Sequence, residues 1–546
     1  MIKVLKENTF IIFIILLIIL FTKIIESISI ISFAPILDFY TNKSTFSNKE
    51  SFLNINNFYN NLFDNVTLLK LILFTSFLFL FKNLFQFISK LSIVFFSYNI
   101  SRVLMVNMYN RLIEADWLVF NKLNTEKISN TLNIEIEKFA LLLEDYFELV
   151  LNITSIFAFT SICFYLSWEL TLTSIILFSL FFIPNFFIET YIKKKSDRVL
   201  QSKNEIFGLV NETLKLFKNI QIFFLHNKYL NFFTIKTSIW YNNMKSLGFL
   251  KSLNNLYIEP SIILILGLIL FLSNDYFYIE ISKLFIFLFF FKRISDSIKN
   301  LINNRNNIKS YSPSINQFEE IYESLIKFKN GKKIIKNLNS NIEFKNIDFY
   351  YNKKKIFNNL SFTIKRNTVN IILAPSGFGK TTIINLLLGL LKINKGKINI
   401  NNNDIRSYDL KSWRKRLSVV TQDLQFSNTS ILEFAKLINP YINNKTLQKQ
   451  LKTFKLNIQK NIKLGSYNVP ISGGEQQRLR IAIAVVNNPD VLIFDEPTSS
   501  IDKENKDIVI SEILKACKNR TAIIVTHDNY LKRNLEKIRN TNTIKL

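Results

Sequence analysis

The chain has 546 residues, 53 of them Phe, with 48% hydrophobic residues and a formal net charge of +28 at pH 7. Such a length exceeds one compact domain, and two cysteines provide no disulfide framework or cysteine-rich metal site. The positive charge is spread through polar loops and forms no basic stripe with interleaved stacking aromatics, which argues against a nucleic-acid partner and for attraction to an anionic membrane leaflet.

From the N-terminus, long Phe/Ile/Leu tracts predict six membrane spans, near residues 9–36, 66–97, 142–167, 169–190, 248–273 and 277–299. The first tract is longer than a signal-peptide core and no small-residue cleavage site follows it, so it is read as a retained span. Residues 191–251 carry 11 Lys/Arg, whereas the loop after the first span has Lys43 and Lys49. The positive-inside rule then places both termini and the long loops in the cytoplasm. Lys23 and Glu26 lie one helical turn apart in the first span and can pair. Ionisable residues within spans are functional by default, and Lys82 lies mid-span in the second, with Lys292 and Arg293 in the sixth. Facing a central cavity, Lys82, Lys292 and Arg293 would favour an anionic or phosphate-bearing headgroup; the pair in the sixth span can instead snorkel to the inner leaflet.

A polar Asn/Lys/Ser-rich stretch follows, and beyond it the pattern changes. Val369–Leu373 reads as a buried strand and Ile383–Leu391 as an apolar helix face. Ala374-Pro375-Ser376-Gly377-Phe378-Gly379-Lys380-Thr381-Thr382 lies between them. A turn of this kind aims backbone N–H groups and a helix N-terminus at a polyphosphate. Lys380 would reach the β- and γ-phosphates of ATP, and the Thr381 hydroxyl would hold Mg²⁺. Ala374 stands where the pattern has Gly. Val491–Phe494 predicts a second buried strand, ending in Asp495, placed for the metal, and Glu496, placed as a base for the attacking water. Upstream, Ser472-Gly473-Gly474 opens another helix, a second anion-binding terminus. Of the two histidines, His527 follows a β-branched run and His226 falls in a polar surface segment.

In this order the motifs resemble the ATP-binding cassette transporter family. Gln422, in Val419–Asp423, matches the Q-loop. Ser472-Gly473-Gly474-Glu475-Gln476 looks like the family signature, with Ile471 for the usual Leu and Glu475 where Gln is commoner. Ser499-Ser500-Ile501-Asp502 resembles the D-loop and His527 the switch histidine. Tyr351 matches the aromatic that stacks on adenine, with Tyr350 as the alternative. The resemblance implies catalytic roles for Glu496, His527 and Gln422, and metal contacts from Thr381, Gln422 and Asp495. It implies nucleotide contacts from Tyr351, Ser376, Gly377, Gly379, Lys380, Thr381 and Thr382, and from Ser472, Gly473, Gly474 and Gln476 of a partner subunit.

The expected architecture is therefore a six-helix all-α transmembrane domain over residues 1–310, a linker over 311–340 and an α/β P-loop ATPase domain over 341–546. The implied activity is ATP-driven export or flipping of a lipid or lipid-linked saccharide across the cytoplasmic membrane. Drug or peptide efflux is the alternative, and a non-transporting, ATP-gated membrane regulator the second. One phosphate loop and one signature per chain imply a second half-transporter subunit, a homodimer by default with a heterodimer open. Asp116–Phe120 and Phe217–His226 match the family's coupling positions, where aromatics flanked by charge suit docking on the ATPase domain.

Overall fold

A computed structural model describes residues 6–33, 36, 67–275, 281–326, 331–351, 354–375, 377–421, 429–456, 473–486, 488–498, 503–518, 520–537 and 540–546. The chain divides into two compact units, Met1–Ala115 with Val119–Ile326, and Asp116–Leu118 with Lys327–Leu546.

The first unit is built from six long helices: α1 (Thr9–Ile31), α2 (Leu68–Ile113), α3 (Glu137–Leu166), α4 (Trp168–Lys215), α5 (His226–Asp275) and α6 (Ile281–Ser324). Among the described residues, four stretches are long and apolar enough to cross a membrane: Thr9–Ile31, Leu68–Ile113, Glu137–Leu166 and His226–Phe271. These stretches coincide with the first, second, third and fifth of the six expected spans. In α4 the described apolar stretch is Trp168–Leu177, and the sequence continues apolar through Ile183; in α6 Lys292, Arg293 and Asp296 follow the apolar run from Leu284 to Phe291.

The helices also outrun the expected spans. At a rise of 1.5 Å per residue, the 46 residues of α2 extend to about 69 Å, more than twice a hydrocarbon core of about 30 Å. The extension is amphipathic: Ile93, Phe96, Ile100, Leu104 and Met108 are buried at helical spacing. Likewise α6 continues through residues 311–324, taking in the start of a helix expected over Ser314–Phe328 of the linker. Ser167 separates α3 from α4 with an extended backbone, and its hydroxyl caps α4 by accepting from the Leu170 N–H.

The second unit holds two sheets. An antiparallel sheet has the order β2-β1-β4-β5, from β1 (Ile342–Tyr351), β2 (Lys354–Ile364), β4 (Lys395–Ile400) and β5 (Asn403–Asp404). A parallel sheet has the order β6-β7-β8-β3-β9, from β3 (Val369–Leu373), β6 (Leu417–Val420), β7 (Val491–Asp495), β8 (Thr521–Thr526) and β9 (Thr541–Lys545). The inner strands β7 and β8 are buried along almost their whole length, which explains their unbroken apolar sequence. Helices α7 (Lys380–Leu387), α8 (Gly473–Val486), α9 (Lys503–Cys517) and α10 (Asn529–Glu536) connect them. Trp413 is fully buried in the core, and its indole N–H donates to the Leu387 carbonyl at 2.8 Å, at the end of α7. Leu118 packs on the same core, and Asp116 pairs with Lys392 at 2.9 Å. Part of the first expected coupling segment is thus integral to this unit.

Candidate nucleotide site

Strands β7, β8 and β3 are neighbours and run parallel, with Asp495 opposite Val525 and Thr526 opposite Leu373. Their carboxyl ends therefore deliver three loops to one edge of the sheet, where α/β folds bind ligands. From β3 comes the loop into α7; from β7 come Asp495 and Glu496; from β8 comes His527.

The loop from β3 is shaped by glycine. Gly377 and Gly379 have φ of +80° and +98°, a region that a side chain enters only with strain. At Gly379 a Cβ would also lie 2.8 Å from Ile356 Cγ2 and 2.9 Å from Phe357 Cζ. Ala374, by contrast, is buried and outside the left-handed region, so the methyl group in place of the expected Gly imposes no backbone strain. Gly379 is the N-cap of α7 and offers no side-chain cap. The first N–H groups of that helix are those a helix leaves without intrahelical acceptors.

Glu496 takes φ +48°, a conformation costing roughly 1–3 kcal/mol for a residue with a side chain and concentrated at functional sites. Its own N–H is held by the Val525 carbonyl at 2.9 Å, which fixes the end of β7 against β8. One carboxylate oxygen, Oε1, gathers the other charged groups. Lys380 donates a hydrogen bond to it across 116 positions of sequence, and His527 Nδ1 lies 3.0 Å away. Burial pushes the Glu496 carboxyl up, but the hydrogen bonds from Lys380 and His527 and their charge outweigh it, leaving its pKa below the ordinary value. Glu496 is thus kept ionised.

A further group, missed in the sequence, anchors His527. Asp528 caps α10 through its Oδ1, which accepts from the Tyr530 and Leu531 N–H groups. Its Oδ2 accepts from Lys506 at 2.9 Å and Thr498 at 3.1 Å. Asp before a helical pattern is a legible N-cap signal; the Lys506 and Thr498 contacts have no local sign.

The donor set fits a nucleotide triphosphate with Mg²⁺. The uncapped start of α7, the glycine turn that a Cβ would obstruct, and the Lys380 ammonium suit polyphosphate oxygens. Thr381 on the first turn of α7 and Asp495 at the end of β7 supply one hydroxyl and one carboxylate, the sparse protein contribution typical of Mg²⁺ at phosphates. Thr382 is buried on the inner side of α7. Tyr351 is exposed at the end of β1 and meets Phe349 edge-on at 5.0 Å, while Tyr350 lies beneath the Lys355 ammonium at 5.6 Å. Gly473, Gly474 and Gln476 form the first turn of α8. Ser376, Gln422, Ser472 and the segment Ser499–Asp502 lie outside the described residues.

Two family descriptions match the chain: ABC transporter transmembrane region over residues 12–298 and ABC transporter over residues 357–499. The alpha-hemolysin translocation ATP-binding protein HlyB of Escherichia coli O157:H7 is 31% identical over 243 residues, covering 42% of this chain and 33% of HlyB. The matched stretch thus spans about a third of that relative's length. The heterocyst differentiation ATP-binding protein HepA of Nostoc sp. is 23% identical over 427 residues, covering 75% of this chain and 69% of HepA. In fold, the chain is similar to the structure of a bacterial Atm1-family ABC exporter with ATP bound, with a TM-score of 0.81, 17% identity, and coverage of 100% of this chain and 94% of that one. The chain belongs to the ABC transporter family, as a multi-pass protein of the inner membrane with an ABC transporter transmembrane region fused ahead of a cytoplasmic ATP-binding domain.

Proposed function

We propose that the protein hydrolyses ATP to drive export or flipping of an amphipathic substrate, a lipid or lipid-linked saccharide, across the inner membrane. The observation that carries the ATPase reading is the convergence of Lys380 and His527 on one oxygen of Glu496 at the ends of three adjacent strands. Glu496 is ionised and serves as the base that takes a proton from the attacking water, with His527 orienting that region. Lys380, donating to Glu496, exchanges this partner for phosphate oxygens as substrate binds, which releases the carboxylate for the water. Thr381, Asp495 and Gln422 would hold Mg²⁺, which would supply charge neutralisation at the phosphate oxygens.

Six membrane crossings, with α4 and α6 completing the four apolar stretches, keep the start of the chain and the ATP-binding domain on the same side. Each chain has one phosphate loop and one signature turn. Two copies therefore make two composite sites, with Ser472, Gly473, Gly474 and Gln476 of the partner closing over the nucleotide and Tyr351 stacking on its adenine. Phe217, Ile222, Phe223 and Phe224 are exposed and suit docking on an ATP-binding domain. A peptide or protein cargo is the second reading, favoured by the match to HlyB, a protein named for hemolysin translocation.

The test is ATP hydrolysis by the purified protein in lipid nanodiscs. Glu496→Gln is expected to lower turnover by about 100-fold or more while ATP binding persists, the scale of a lost general base. Equal turnover in the variant and the wild type would remove Glu496 from the mechanism.

A further inference from the structure

The helical unit gathers four ionisable side chains that do not balance. Glu26 on α1, its side chain 7% exposed, is 2.7 Å from Lys23 of the same helix, 3.7 Å from Lys82 on α2 and 3.9 Å from Arg293 on α6. One carboxylate faces three cations from three helices, a formal excess of two positive charges. Lys23 takes the hydrogen bond to Oε2. Lys82 and Arg293 lie 3.7 and 3.9 Å from Oε1, longer than the usual hydrogen-bond range of about 2.7–3.2 Å, so both engage Glu26 less tightly than Lys23 does. Lys292, expected beside them, turns instead to Asp296 in an exposed pair at 2.6 Å.

A purely structural ion pair in an apolar interior is balanced, because unmatched buried charge is costly. Here the surplus lies where a second anion would repay it, and Arg293, with 35% of its side chain exposed, leaves the cluster open on one side. The planar guanidinium fork matches phosphate and carboxylate oxygens. Arg293 directly precedes Ile294 and lies two positions after Phe291; with Phe287, Ile156 and Cys163 these two line an apolar cavity of about 240 Å³. One stretch of α6 therefore carries both a cationic and an apolar surface.

We propose that Lys23, Lys82 and Arg293, arranged around Glu26, form a binding site for a phosphate- or carboxylate-bearing lipid headgroup. The assignment rests on the exporter reading for its purpose and on the charge geometry for its chemistry.

The test counts lipids retained by the full-length protein without nucleotide, by native mass spectrometry, after exposure to mixtures of phosphatidylglycerol and phosphatidylcholine. The wild type is expected to prefer phosphatidylglycerol about tenfold, the effect of one net close charge interaction in a partly shielded site. Lys82→Met with Arg293→Met brings the preference to near parity, and Lys82→Arg with Arg293→Lys restores it, which a loss of folding would not allow. Glu26→Gln, by removing the competing carboxylate, raises the preference further. An unchanged preference in the double Met variant, or a weaker one in a folded Glu26→Gln variant, overturns the proposal. Inorganic phosphate that binds to the wild type and excludes phosphatidylglycerol would assign the site to a soluble anion and overturn the headgroup version. The exporter reading fails by a different sign, the absence of Glu496-dependent ATP hydrolysis.

Discussion

Asp528 Oδ1 accepts from the Tyr530 N–H at 2.8 Å, and Oδ2 from Lys506 at 2.9 Å and Thr498 at 3.1 Å. These contacts fix the backbone directly after His527 to two other elements of the ATP-binding unit. Asp528→Ala removes an N-cap worth about 1 kcal/mol and frees His527 from its anchor. Turnover is expected to fall about tenfold with little change in ATP affinity; equal losses in both would show a merely structural role. Asp528→Asn keeps the cap acceptor and loses the charge opposite Lys506, so its effect is smaller. Burial raises the Asp528 carboxyl, but the bonds from Lys506, Tyr530, Thr498 and Leu531 win and its pKa lies below the ordinary value. Its stabilising contribution is therefore full above the ordinary Asp range, near pH 4, and is lost as pH falls through the depressed folded value. In thermal unfolding, the stability gap between wild type and Asp528→Asn should be constant from pH 7 to 5 and close below pH 4. A gap that widens in acid would contradict the depressed pKa. Lys380, Glu496 and His527 were legible because each follows a recognisable strand or turn. The hydrogen bond between Lys380 and Glu496 was not, because residues 116 positions apart meet only through the order of the parallel sheet. The positive φ of Glu496 has no sequence sign either, since Glu is not a residue that marks such a backbone.

At the scale of elements, the positions of the helices were legible and their lengths were not. An apolar run reports where hydrocarbon surrounds a helix, whereas the continuation of α2 past residue 97 is held by a buried stripe with polar residues between. Ahead of α3 the chain forms a π-helical turn, Thr131–Glu135, a geometry that often marks functional or strained points in helices. Glu135 at its end has a fully buried side chain. It accepts from Lys138 and Ser314 and lies 3.6 Å from Lys203. Thr131 accepts from Gln317, whose Oε1 accepts from Asn204, which in turn accepts from Asn130. The network ties this turn to α4 and α6, and its members are scattered over more than 180 positions, so no local pattern discloses it. Glu135→Ala leaves two lysines facing an empty acceptor and is expected to cost about 3 kcal/mol, the scale for breaking a buried ion pair. Glu135→Gln retains acceptors for Ser314 and costs less. Thermal unfolding in detergent measures both, and an Ala variant as stable as the wild type would show that the network is solvated and dispensable.

At the scale of the whole molecule, the two halves of the proposed catalytic site come from different chains, which makes function a property of pairs. A chain with Lys380→Ala has a defective phosphate loop and a sound signature turn; a chain with Gly474→Asp has the reverse. Each homodimer then contains two damaged composite sites. A mixed dimer differs: one site combines both defects, and the other joins the sound phosphate loop of one chain to the sound turn of its partner. With equal expression and random pairing, half of the dimers are mixed and each keeps one of its two sites, so co-expression should recover roughly a quarter of wild-type ATP hydrolysis from two variants that are each inactive. Differential tags on the two chains allow the mixed dimer to be isolated, and its turnover should approach half that of the wild type if the sites work independently. Failure to recover any activity in isolated mixed dimers would mean that both intact sites are needed together or that each chain acts within its own boundaries. The second case is separated from the first by activity that survives dilution of a monomer. A wild-type chain that binds ATP but hydrolyses none as a purified homodimer would instead require a sister subunit, to be identified by restoring turnover on mixing.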